Sequence, residues 1–243
     1  MDLELTGKAA ARSAVKDDAR LDRRSTPDQV VAVLREMLSA GRFAPGEPIR
    51  ERELAGAVGA SRGPVHEAMS QLAAEGLLYF DPYLRHAVIN PDINDVRELL
   101  TMRSALEGFA ATRAAANVPP GHLAELRALV AEMRQAAVTE NRSAFFEIDL
   151  AFHETIVRIA DHQLLLDNWV QVTSRFALTS RLAVSDIYDS ADVLAELAER
   201  HHALIEPLVV GDVYEARRLA EEHPLDALQR YELAQLDRRL ANR

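Results

Sequence analysis

The 243-residue chain contains no cysteine. That excludes disulfides and any thiolate metal site, and it fits a reducing compartment. No apolar run approaches the roughly 20 residues needed to span a bilayer. The opening stretch MDLELTGKAAARSAVKDDARLDRR lacks the apolar middle of a signal peptide. The expectation is a cytoplasmic protein without a membrane partner. Lysine is nearly missing as well: only Lys8 and Lys16 occur, so the positive charge rests on arginine, with its planar, bidentate donor fork.

Basic residues are also outnumbered, 28 Lys+Arg against 38 Asp+Glu, for a formal charge of −10. This argues against a protein that coats nucleic acid non-specifically, but the distribution matters more than the sum. Residues 1–90 carry 12 basic and 13 acidic side chains, whereas residues 91–243 carry 16 and 25. The first part is therefore close to neutral, and the acidity sits in the second.

Residues 1–24 alternate in charge without an apolar period and are expected to form a mobile tail. Residues 25–91 read as a separate unit. Thr26 can cap a helix with Pro27 at its first position, and Val30, Val31, Leu34, Met37 and Leu38 repeat at helical spacing. FAPGEPI reads as a turn-rich connection. ERELAGAVG gives a short second helix that stops at Gly59, and Ser61 caps a third with Pro64 in its first turn. LLYF and HAVIN read as strands around the turn DPYLR. Three helices and a hairpin predict a winged helix-turn-helix. Residues 92–243 show no strand signal, only amphipathic helices near 94–116, 121–138, 142–160, 163–183, 191–210 and 212–240, hence a second, all-helical domain. The fold class is mostly α. The short Pro91–Asp92 connection suits helix shifts in the second domain that alter the first.

In a winged helix the third helix enters the major groove and its N-terminal residues meet base edges and phosphates. Ser61, Arg62, Gly63 and His66 occupy that stretch. Arg62 can grip guanine or phosphate through two donors, and the helix N-terminus itself favours anions. Arg52, on the preceding helix, is placed for the backbone, and Arg85 and His86, in the expected wing, for the minor groove. Taken singly, each arginine reads more readily as a solvated charge than as a DNA contact.

The run APGEPIRERELAGAVGASRGPVHEAMSQLAAEGLL, with PG, E-R-E-L-A, S-R-x-P-V and E-G-L in order, resembles the DNA-binding domain of the GntR family of bacterial transcription regulators. The resemblance implies operator contacts from Arg52, Ser61, Arg62 and the wing, a dimer, and a palindromic double-stranded DNA site. Two positions depart from it: His66 stands where the family has arginine, and His86 where the wing has glycine. Neutral histidine lacks arginine's fork and most of its charge, so the expectation is an altered or weaker operator preference.

In EIDLAFHETIV, Asp149 and His153 lie four apart, on one helix face. His201 and His223 lie 22 apart on two further helices, a spacing that suits antiparallel neighbours at similar depth. One carboxylate and three imidazoles could hold Zn²⁺, or Ni²⁺ or Mn²⁺, with positions left open. Spacing alone equally allows a buried Asp149–His153 pair and a surface His223. Glu199 and His202 form an E-x-x-H with no second copy, which excludes a di-iron reading.

Residues 94–235, through MRSALEGFAA, the D-x-x-x-H at 149–153 and the histidines eleven residues on either side of Asp212, are similar to the FCD-type ligand-binding domain of the FadR subfamily. That resemblance implies Asp149, His153, His201 and His223 as metal ligands and Arg103 as the partner of a small organic acid effector. Pro224 departs from it, because proline after His223 predicts a kink there or a histidine turned away. The function expected is a metabolite-responsive regulator, most often a repressor. A metal-dependent enzyme acting on small carboxylates and an effector-free DNA-binding protein stand as alternatives.

Overall fold

The computed structural model describes residues 26–81, 85–183 and 190–241. The expected tail 1–24 and most of the wing turn lie outside them. The chain divides into two compact units, one spanning residues 1–92 together with 177–183, the other residues 93–176 and 184–243.

In the first unit, α1 (Pro27–Ser39) begins at a capping box. Thr26 accepts from the Gln29 backbone, and the Gln29 side chain accepts from the Thr26 N–H. Strand β1 (Pro48–Ile49) and helix α2 (Glu51–Val58) follow, then Gly59 at φ 76° turns the chain into α3 (Arg62–Ala74). Ser61 is the N-cap of α3, but its side chain makes no capping bond, contrary to expectation. Strands β2 (Leu78–Asp81) and β3 (Arg85–Val88) complete a sheet of order β1–β3–β2, all antiparallel.

Strand β1 sits inside FAPGEPI, expected to be only a connection. The two-residue pairing Pro48↔Ala87 and Ile49↔His86 depends on a partner far along the chain, so no local pattern announces it. Val30, Leu34, Leu54, Val58, Val65, Met69, Leu72 and Val88 form the core. Each helix turns one apolar stripe inward, as its spacing requires.

In the second unit, α4 (Ile93–Ala116), α5 (Pro120–Val138), α6 (Arg142–Ile159) and α7 (Gln163–Ala183), whose residues 177–183 are counted with the first unit, follow the expected spans closely. Asn141 caps α6 through the Ala144 N–H, and Ser190 caps α8 (Ala191–Ala203) through that of Val193. The single helix expected over 191–210 is broken at Leu204, and α9 (Ile205–Val210) continues. Pro207 explains the break: it has no N–H for the Ala203 carbonyl, and its ring crowds that oxygen. Gly211 at φ 75° ends α9 before α10 (Val213–Ala241).

Helix α10 lies along α4. Ser104 Oγ donates to the Glu221 carbonyl at 2.7 Å. A Cβ on Gly108 would stand only 2.3 Å from Glu221 Cγ, so glycine permits this approach.

Candidate metal centre and nucleic-acid interface

Three helices bring the four candidate ligands together. Asp149 and His153 project from α6, His201 from α8 and His223 from α10, and one ligand atom from each lies within 4.8 Å of the others. His153 and His201 are 2% and 1% exposed. The ring of His223 lies 4.3 Å from that of His201 and 4.9 Å from that of His153. Pro224 therefore does not turn His223 away. It is accommodated within a continuous α10, with the histidine facing the cluster.

Hydrogen-bond partners select the tautomers. His201 Nδ1 lies 2.7 Å from the Leu197 carbonyl, which only accepts, so Nδ1 carries a proton and Nε2 faces inward. His201 Nε2 stands 2.8 Å from Asp149 Oδ1. In the neutral ring both atoms are acceptors, and at that separation they require a proton or a cation between them.

His153 is arranged similarly. Its Nδ1 lies 3.1 Å from Glu107 Oε2, while its buried Nε2 has no hydrogen-bond partner and points toward Asp149. A buried ring nitrogen without a partner is costly unless it has a ligand's task. Two atoms bonded to one ion at about 2.1 Å stand about 3.4 Å apart in a tetrahedral site and at most about 4.2 Å apart in any site, so a pair as wide as 4.8 Å would close by roughly 0.6 to 1.4 Å on binding. The donor set of three imidazoles and a carboxylate, and its geometry, fit a divalent transition metal.

Glu107 was not among the residues expected from sequence. It is 2% exposed, and its Oε1 accepts from Arg103 Nε at 2.8 Å and from Trp169 Nε1 at 3.0 Å. The R-x-x-x-E spacing within MRSALEGFAA could have marked the pair. Burial alone would raise the Glu107 carboxyl, but Arg103 and His153 outweigh it and hold the group well below the usual carboxylate range. For Asp149, burial is likewise overcome, first by the His201 hydrogen bond and then by His153, His201 and Arg103. Burial, and then the neighbouring His201 and His153, push His223 well below the usual histidine value. Both carboxylates are thus ionised and His223 is neutral at pH 7.

Beside the cluster opens a pocket with an empty volume of about 510 Å³, its mouth included. Asp149 and His223 line it on the side of the cluster, and Arg103, Phe145, Phe176 and Leu197 line its walls. Arg103 is 4% exposed, and its guanidinium lies 5.0 Å over the Phe176 ring.

In the first unit, Arg52, Ser61, Arg62, Gly63 and His66 are all exposed. A Cβ on Gly63 would meet nothing within 4 Å, so packing within the chain does not call for glycine there. His66 Nδ1 lies 2.9 Å from Glu51 Oε1, a carboxylate at the start of α2. The side chain of Arg85 lies outside the described residues.

His86 requires a correction. It is not at a wing tip but in β3, paired with Ile49 on one side and Phe80 on the other, and it is 4% exposed. Central-strand pairing covers the ring, its Nδ1 has no hydrogen-bond partner, and Phe80 meets it edge-on at 5.7 Å. It is a residue of the wing's interior.

Comparison with known proteins covers both units. Residues 26–82 match the family described as bacterial regulatory proteins, gntR family, and residues 98–227 match the FCD domain. A protein of Paenarthrobacter nicotinovorans named "Probable D-xylose utilization operon transcriptional repressor" is 33% identical over 204 residues, 84% of this chain and 88% of that protein. The Escherichia coli K12 HTH-type transcriptional repressor RspR is 32% identical over 139 residues, 57% of this chain and 61% of its own. Among solved structures, E. coli McbR/YncC superposes with a TM-score of 0.73 over 87% of this chain and 99% of its own, at 23% identity, which speaks to fold.

Proposed function

The chain belongs to the GntR family of bacterial regulatory proteins, with an FCD domain following its winged helix, and from that premise we propose a metal-assisted sensor of small organic acids that represses transcription as a dimer. That it is a transcription regulator and not an enzyme follows from the family and from its named relatives. The metal, the acid, the dimer and the residue roles are our reading. The observation that carries it is the quartet of Asp149, His153, His201 and His223, in which the buried His153 Nε2 has no hydrogen-bond partner and His201 Nε2 faces a carboxylate.

Charge supports the same reading. Arg103 contributes one positive charge and Glu107 and Asp149 one negative charge each, so the fixed charges at the centre leave an excess of one carboxylate. A buried excess charge calls for a counter-ion. A divalent ion, Zn²⁺ before Ni²⁺ or Mn²⁺, would make the centre +1 and so favour a single carboxylate in the adjoining pocket. Glu107 holds Arg103 and His153 in place, and Arg103 and the ion would share the acid. When bound, the metal supplies a Lewis-acidic site for one carboxylate oxygen.

In the first unit, Arg62, Ser61, Gly63 and His66 at the start of α3 would read a palindromic operator, with Arg52 on the backbone. The helix N-terminus adds its partial positive charge. The bare Gly63 backbone would let DNA approach closely. Effector binding would change operator affinity by the difference in its affinity for the free and DNA-bound forms.

Fluorescence anisotropy on DNA from upstream of its own gene tests this, with an unrelated duplex of equal length, metal-free and Zn²⁺-loaded protein, and a panel of small acids. Selective binding that one acid weakens only in the metal-loaded protein is expected. Equal, weak binding to both duplexes, or binding indifferent to metal and to every acid, would overturn it.

A further inference from the structure

A second cation stands at the pocket mouth, and the metal-centre reading gives it no task. Arg200 lines the pocket and immediately precedes the ligand His201. Its guanidinium is held by Asp226, one turn beyond His223 on α10, and by Glu196, one turn back on α8, through Nε at 3.2 Å and the terminal Nη2 at 2.9 Å. Glu196 is shared in turn with Arg230 at 2.8 Å. Asp226 also lines the pocket, so the Arg200–Asp226 pair ties α8 to α10 across its mouth.

We propose that Arg200 is a specificity-determining residue that selects effectors carrying two carboxylates. This rests on the reading of the pocket as an organic-acid site. The inner centre, with a divalent ion in place, balances one carboxylate and no more. A second carboxylate on the same molecule needs a second cation, and Arg200 supplies it on the pocket wall. Its present partner there is itself a carboxylate. The ligand's distal group therefore takes the position of Asp226 by like-for-like exchange, and the released Asp226, already half exposed, returns to water. A monocarboxylate leaves the Arg200–Asp226 pair intact. Its methyl end would then face a closed, charged mouth, which provides no apolar contact to offset desolvation.

The test is calorimetric titration of the Zn²⁺-loaded full chain with the C3–C6 α,ω-dicarboxylates and the monocarboxylates of equal chain length. For wild type, at least one dicarboxylate is expected to bind tenfold or more tighter than its monocarboxylate. Arg200→Gln should reduce that ratio to about one while leaving monocarboxylate affinity unchanged. Asp226→Asn frees the guanidinium from one competitor and should tighten the dicarboxylate severalfold with no effect on the monocarboxylate. A purely structural bridge would not give that gain, and the asparagine variant keeps the test valid if the glutamine variant is poorly folded. Discrimination unchanged in both variants, or equal losses for both acid types, would overturn the assignment and leave the acid site standing. If Zn²⁺ binds but no acid of either kind does, the organic-acid reading fails, and this inference with it.

Discussion

Glu107→Gln isolates the link between the buried carboxylate and the metal ligands. The substitution preserves shape and leaves an oxygen able to accept from Arg103 Nε and Trp169 Nε1, now at 2.8 and 3.0 Å. What changes is the end facing His153 Nδ1 at 3.1 Å, where an acceptor becomes an NH₂ donor. His153 then does best with its proton on Nε2, the nitrogen that must be bare to bind a metal. Restoring the ligating tautomer sets two donors against each other in a buried site, at roughly 1–3 kcal/mol. At about 1.4 kcal/mol per decade, that corresponds to about a 5- to 150-fold weaker Kd for Zn²⁺. This range overlaps the 10- to 100-fold typical of lost outer partners of metal-bound histidines. The metal-free protein should also lose roughly 1.5–3 kcal/mol, because Arg103 exchanges a charged acceptor for a neutral one. Competition with a chromophoric chelator measures the first effect, and urea unfolding in excess chelator the second. A folded variant that binds Zn²⁺ within threefold of wild type would refute the tautomer argument.

Other substitutions probe the remaining elements. His66→Arg places a full charge in the first turns of α3, beside the Glu51 carboxylate of α2. It should tighten operator binding and steepen the logarithmic salt dependence by about 0.9 for each reading head that gains a phosphate contact, read by anisotropy between 50 and 200 mM salt. An unchanged slope would place residue 66 away from the DNA. Burial, partly opposed by Glu51 and reinforced by His66, lowers the pKa of His86. The unfolded chain therefore takes up the proton first, and stability present above about pH 6.5 is lost as pH falls toward the folded value, by at most about 1.4 kcal/mol per pH unit. His86→Leu should remove this component from the unfolding profile of the first unit between pH 7 and 5, and an identical profile would contradict it. Leu72→Ala, at a fully buried site, should cost about 2–5 kcal/mol by chemical denaturation, and less than 1 kcal/mol would mean the core collapses around the gap.

Much of the fold was legible in the sequence because its signals are local. Thr26–Pro27, Gly59, Asn141 and Gly211 sit where helices start or stop, and each acts within a few residues of itself. The apolar stripe of α1 and the i,i+4 pair Asp149–His153 follow from helical periodicity alone. Spacing could bring the four metal-ligand candidates to notice, but not separate a cluster from scattered histidines. Only packing brought side chains of α6, α8 and α10 together and turned His223 inward despite Pro224. Glu107 and Trp169 escaped notice because their roles depend on a neighbour 46 or 62 residues away, His153 for the first and Glu107 for the second. The Arg200–Asp226 bridge, 26 residues apart, escaped notice for the same reason.

His86 marks the boundary most clearly. Its residue type and place near a turn suggest an exposed wing, but the β1–β3 pairing encloses it, and β1 exists only because β3 is there to receive it. The sequence by itself determined where helices begin and end and which side of each is apolar, because those are short-range consequences of backbone sterics and periodicity. Tertiary structure alone decided which charges share a low-dielectric interior, which histidine nitrogen faces the cluster and which arginine borders the pocket, because burial and proximity belong to the assembled chain.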